Sequence, residues 1–172
     1  MKFSAFEELA KADNRTLENF LLRGKTPRLQ SLVNMEFDGW NTNSGTALFG
    51  NRKFRKGFES VPPGKAFGYN MKVKQNHFKS LWLPTDKLKF GFFDVLPNPD
   101  EHYQQLLPYQ HALLLDYGNH ASNTLFTGKY LRDVLVMVEP NLYLGKAYHT
   151  FAGRLIPLSY FVMKPAEVQS KK

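Results

Sequence analysis

The chain has 172 residues, 23 Lys+Arg against 15 Asp+Glu for a formal net charge of +8, and no cysteine. The absence of cysteine excludes a disulfide framework, Cys-ligated zinc, an iron–sulfur cluster and a cysteine nucleophile. A chain of this length buries about 70% of the surface its unfolded form exposes and needs no such staple. The longest uncharged apolar stretch, Leu155 to Met163, is about half of what a spanning helix requires. Glu7 and Glu8 stand where a signal peptide needs an apolar core, so a cytoplasmic protein is expected. One domain over 1–172 is the default, with helices in 1–24, a β region over 27–165 and a polar tail over 166–172.

Ser4 and Glu7 form a capping box, and Phe6, Leu9 and Ala10 follow at helical spacing. A second short helix is predicted behind Asp13 or Thr16 as cap, with Leu17, Phe20 and Leu21 as its apolar stripe and Gly24 as its C-terminal stop. After Gly24 the period changes to two. Met71–Gln75 and Lys87–Phe92 alternate apolar with basic residues, as a strand with one wet face does. Tyr130–Val138 reads as a strand, and Leu142–His149 with Leu155–Met163 as a hairpin across 151–154. Leu29–Phe37, Phe78–Leu83 and His111–Tyr117 are further candidates. About eight strands at this spacing predict a mainly β, antiparallel up-and-down barrel carrying one or two N-terminal helices, or a sandwich. Val134–Val138 and the apolar run around Pro157 are too continuous for one wet face, so these strands are expected to be covered on both sides, by a lumen and by the helices. Pro97, Pro99 and Pro108 fence an insertion, Asn98–Tyr109, read as an ordinary crossover with one short helix over 100–107, or more sharply as a lid.

His111-Ala112-Leu113-Leu114-Leu115-Asp116-Tyr117-Gly118, Leu131-Arg132-Asp133-Val134, the run from Pro140 to Tyr148 and the closing Tyr160-Phe161-Val162-Met163 resemble uncharacterised bacterial proteins with a lipocalin-like (calycin) barrel, of the GXWXG/DUF4334 type. The likeness covers about a third of the chain. In the N-terminal half Gly39 and Trp40 stand adjacent, where that pattern separates them by one residue. The resemblance implies a small barrel enclosing an apolar ligand and carries no catalytic residue with it.

Eight cations lie between Arg52 and Lys79 against the single acid Glu59. Arg52, Lys53, Arg55 and Lys56, interleaved with Phe54 and Phe58, suit an anion site at a barrel mouth, a nucleic-acid surface or an anionic membrane; the plainer reading is a solvated basic strand or turn. Trp40, Phe90, Phe92, Tyr117, Tyr148 and Tyr160 are candidate ligand-lining residues, though strands use aromatics routinely. Asp116 and Asp133 each interrupt an apolar strand, and a buried carboxylate must be paired, protonated or useful. The preferred reading pairs Asp133 with Arg132 or Arg154 and Asp116 with Lys146. If both instead share a cavity with His149, they suit proton transfer on an apolar substrate. His spacing suggests no metal site, and no nucleotide fingerprint is present, so no cofactor is expected.

Three functions therefore stand open. The first is binding of a hydrophobic or amphipathic, anionic small molecule, fatty-acid-like or isoprenoid-like, inside the barrel. The second is an isomerase, cyclase or hydratase using Asp116, Asp133 or His149. The third is a nucleic-acid or membrane-surface binder working through 52–79.

Overall fold

In the computed structural model, which describes residues 5–42, 52–62, 64–124 and 128–167, eight antiparallel strands close a barrel in strict sequence order. They are β1 (Met35–Asn41), β2 (Lys53–Val61), β3 (Lys65–Val73), β4 (Pro84–Leu96), β5 (Leu113–Asp116), β6 (Leu131–Glu139), β7 (Leu142–Phe151) and β8 (Arg154–Pro165). Closure is made by β1 on β8, with Gly39 opposite Met163 and Trp40 opposite Val162. An up-and-down barrel leaves no free sheet edge where it is fully paired. We call the end with the β7–β8 turn the upper end. The chain enters at the lower end, where a 3₁₀ turn, Leu29–Ser31, sets Leu29, Leu32 and Val33 against the interior side chains as a plug.

Alternation along each strand sorts the core into two clusters. Phe37, Phe58, Phe93, Leu115, Tyr117, Leu135, Tyr143, Phe161 and Met163 pack inside the barrel. Val134, Val136, Leu144, Tyr148, Tyr160 and Val162 face outward and are covered by α1 (Ala5–Lys11) and α2 (Asn14–Arg23). Asp133–Val136 and Ser159–Met163 are thus buried on both faces, as their unbroken apolar runs predict, whereas Ile156 and Leu158 around Pro157, expected to be covered as well, are 46% and 45% exposed.

Interior rings are accommodated by glycine. Gly39 lies opposite Phe54, Gly68 opposite Phe93, and Gly145 opposite Phe161. A Cβ built on any of these glycines would fall within the facing ring. Each ring lies flat over the bare backbone of its neighbour and shields that strand's hydrogen bonds.

Several elements depart from the residue pattern. Ser4 lies outside the described residues, as does the tail from residue 168 onward. Asp13 caps α2 by accepting from Thr16 N at 2.7 Å, but Phe20 is 41% exposed while Leu17 and Leu21 carry the buried face. Gly24 has φ −62° and does not make a left-handed stop; it lets α2 approach Val136, where any side chain would collide. Phe78–Leu83 is irregular, and its Phe78 and Trp82 leave the wall to stack on Phe6 of α1. β2 stands outside the eight counted strands: its cations hide its period, and of the strand or turn expected at 52–58 the strand is what forms. Leu29–Phe37 becomes the lower plug and the start of β1. The insertion forms α3 (Pro99–His102) and a 3₁₀ segment, Gln104–Tyr109, lying on the outer wall beside α2, with Tyr109 bonded to Glu18 and His111 to Leu21 O. It covers no end of the barrel.

Candidate binding site

A polar cluster stands in the middle of the aromatic interior. From β2, Lys56 reaches inward, and its Nζ donates to Asn70 Oδ1 of β3 at 3.0 Å, to the Tyr117 hydroxyl and to Asp133 of β6, 3.2 Å from Oδ2. Tyr117 in turn donates to Asp133 Oδ2 at 3.0 Å. Four rings, those of Phe54, Phe93, Tyr117 and Phe161, have centroids 5.1 to 5.4 Å from Nζ. Burial pulls the Lys56 ammonium below its ordinary value against the pull of Asp133, and burial lifts the Tyr117 hydroxyl well above its own. All three ammonium protons are spent on acceptors.

Asp133 is the unfinished member. Its Oδ2 is shared by Lys56 and Tyr117, while Oδ1 is buried without a hydrogen-bond partner, alone in this among the side-chain polar atoms of the described residues. A buried carboxylate oxygen left unpaired carries a desolvation cost of about 1–3 kcal/mol or more. Leu131, two residues up the same strand, Ala147, its partner across β7, and Phe54, two up from Lys56, are each only half buried. The upper end therefore approaches solvent one layer above Asp133.

The predicted site residues do not converge on one place. Lys56, Tyr117 and Asp133 meet inside the barrel. Lys53 and Arg55 point outward yet are buried, 1% and 8% exposed, which corrects the reading of 52–56 as a solvated basic run. Lys53 Nζ donates to Asn76 Oδ1, His77 O and Ser80 O at 2.5, 2.7 and 2.7 Å and lies over the Trp82 ring. Arg55 binds Asp38 Oδ1 through Nε at 2.8 Å and reaches Glu36 and Trp82 O. Arg52 lies against Trp40, which packs on Phe78. Tyr148 and Tyr160 belong to the outer wall under α2, where Glu18 accepts from Lys146 at 2.8 Å and from the Tyr109 and Tyr160 hydroxyls. Burial pushes the Tyr148 hydroxyl up to about 12.

Asp116 does not share a cavity with Asp133. It lies on the outer face, 2.9 Å from Arg132 Nε, and accepts from Gly118 N at 2.7 Å. Neither expected pairing forms: Arg132 serves Asp116, Lys56 serves Asp133, and Lys146 serves Glu18. His149 sits at the upper rim, opposite Leu131 and tilted against Tyr130, with ring centroids 5.6 Å apart. Phe90 is half buried under Lys72, and Phe92 stands beside His120. Asn123, absent from the predicted set, replaces strand pairing where β5 is short: it binds Phe92 N and O and Tyr117 O at 3.0, 2.6 and 2.7 Å. Asn70 was also missed, because neither amide differs in sequence from a surface residue.

A depression of about 450 Å³ opens at the lower wall between Asn34, Glu36, Glu59 and Tyr69. Its carboxylates are engaged, Glu36 by Arg55 and Tyr69 and Glu59 by Lys89. Among the described residues no group of His, Asp and Glu able to hold a metal ion occurs, and no helix is long and apolar enough to cross a membrane.

Fold and site together define an eight-stranded up-and-down barrel with an aromatic interior and one buried Lys–Tyr–Asp cluster. Comparison with family models, with curated proteins and with solved structures finds no match to this chain.

Proposed function

We propose that the protein binds an amphipathic small molecule at the upper end of the barrel, its apolar part against Phe54, Leu131 and Ala147 and its hydroxyl or amide N–H capping Asp133 Oδ1. The observation that carries this reading is the unpartnered Oδ1 itself. An acceptor buried in an apolar interior selects a ligand that brings a donor, since a ligand without one leaves the cost in place. Lys56 has no proton left to offer an acid, so the barrel favours an alcohol or amide over a carboxylate. The lower interior is packed with Phe37, Phe58, Phe93 and Tyr143, all at most 1% exposed, and this confines the ligand to the upper layers.

Native mass spectrometry of the purified protein, followed by solvent extraction, tests for a bound mass. Displacement of an anilinonaphthalene fluorophore by octanol, octanoate and octane tests the chemistry. Octanol is expected to displace best, and the preference is expected to vanish in the Lys56→Met/Asp133→Leu double variant, which removes the acceptor without stranding a charge. Equal displacement by all three, or octanoate ahead of octanol, would overturn the reading.

A further inference from the structure

The upper end differs from the rest of the surface in both charge and hydrophobicity. The β7–β8 hairpin projects there, with Phe151 67% and Ile156 46% exposed. On the other side of the barrel, residues 84–90 of β4 project as well: they pair with β3, whereas β5 meets β4 only over 94–96. Leu88 on that ribbon is 71% exposed. Two ribbons on opposite sides of the barrel's upper end thus hold out large apolar side chains.

The same ribbons carry exposed cations, Lys72 and Lys87 on one and Arg154 on the other, with Lys129 beside it at the foot of β6. Over residues 72–90, 117–131 and 148–157 Asp86 is the only carboxylate among the described residues, and its side chain accepts from Leu88 N at 2.9 Å. Carboxylates elsewhere are distributed over the lower end and outer wall, as Glu36, Glu59, Asp100 and Glu139 are. The positive excess of the chain is therefore concentrated around apolar tips.

We propose that this end of the barrel docks on an anionic lipid surface, with Phe151 and Leu88 entering the headgroup boundary and the surrounding Lys and Arg facing acidic headgroups. An aqueous surface gains nothing from two exposed apolar tips, and an anionic bilayer rewards both features at once: apolar burial at the tips and Coulomb attraction around them. A nucleic acid would use the cations but leaves Leu88 and Ile156 without a role, since stacking requires aromatic faces. The inference is independent of what the barrel binds inside.

The test uses the full chain with phosphatidylserine–phosphatidylcholine vesicles and with pure phosphatidylcholine vesicles. Co-sedimentation is expected with the first and not the second, and it should weaken as salt rises. Lys87→Gln and Arg154→Gln should each weaken it roughly five-fold. Leu88→Ser with Phe151→Ser should weaken it with the charge unchanged. All these positions are exposed, so unchanged melting and circular dichroism confirm that the variants fold.

Because the chain has no cysteine, a polarity-sensitive fluorophore attached at Phe151→Cys reports the docking face directly. Its emission should shift to the blue on anionic vesicles. The same fluorophore at Leu107→Cys, 55% exposed on the outer wall, should not respond. No partition into anionic vesicles, equal response at both positions, or binding confined to a single-stranded oligonucleotide and indifferent to Leu88→Ser and Phe151→Ser would each overturn the proposal.

Discussion

Lys56 on β2 and Asp133 on β6 meet 3.2 Å apart across the inside of the barrel, from strands that are not neighbours in the sheet. Two charges taken out of water are each expensive, and their mutual attraction offsets that only while both are present. Lys56→Met is therefore expected to cost about 3–5 kcal/mol, because it leaves the Asp133 carboxylate with Tyr117 as its one partner. The double variant Lys56→Met/Asp133→Leu should regain most of that loss or exceed the parent. Urea unfolding of the parent, both single variants and the double closes the cycle; additive losses would show that the two side chains do not act as a pair.

Glycine 145 supports a second test. Gly145 faces Phe161 in register, and a Cβ there would fall within the ring. Gly145→Ala should destabilise by about 1–3 kcal/mol through overpacking, since both the ring and the strand are fixed by their neighbours. In a Phe161→Leu background the same substitution should cost much less. Thermal melts of the four proteins decide this: an equal cost in both backgrounds would place the strain in the β7 backbone.

How much of this was legible in the residues depends on how far apart the partners lie in the chain. The helices, the double cover of β6 and of the second half of β8, and the β7–β8 hairpin follow from local period and capping, and eight antiparallel strands in a barrel or sandwich follow from spacing. The total of eight holds because two departures offset each other: Phe78–Leu83 reads as a strand but is pulled out of the wall by Phe6, and β2 reads as a solvated basic strand or turn outside the count although Lys53, Arg55 and Lys56 are buried. Cations look solvated in sequence because their acceptors are remote, the loop 76–80 for Lys53 and Asp133 for Lys56. Arg132 and Asp133 are adjacent on a strand and must point to opposite faces, so the nearest cation in sequence was the one excluded by alternation.

Glu18 gives the pH test. Burial raises its carboxyl, but donors from Lys146, Tyr109 and Tyr160 outweigh that and hold it below the ordinary value of 4.5. A carboxylate lowered by folding contributes stability that is present above 4.5 and is lost as pH falls through its folded value. Glu18 ties α2 to the outer wall, so Glu18→Gln should be less stable than the parent near neutrality and converge with it in acid. Stability curves in urea across that range check the sign, and a gap that widens in acid would refute it.

Lys53 separates local from global stability. Its ammonium donates to Asn76, His77 and Ser80 and lies 4.0 Å from the centroid of Trp82, so one side chain organises the whole 74–83 loop. Lys53→Met retains the stem and removes all three donors. The His77 and Ser80 carbonyls lie on a partly exposed loop where water can replace the lost bonds, which limits the global cost to about 1–2 kcal/mol. The loop itself loses the group that closes it. Lys74 and Lys79 are exposed on it, so trypsin should cut there faster in the variant while the barrel stays folded. Lys53→Arg should not rescue, because a planar guanidinium cannot point three donors at converging acceptors as an ammonium does. If cleavage rises only in proportion to global unfolding, Lys53 acts on the barrel and not on the loop.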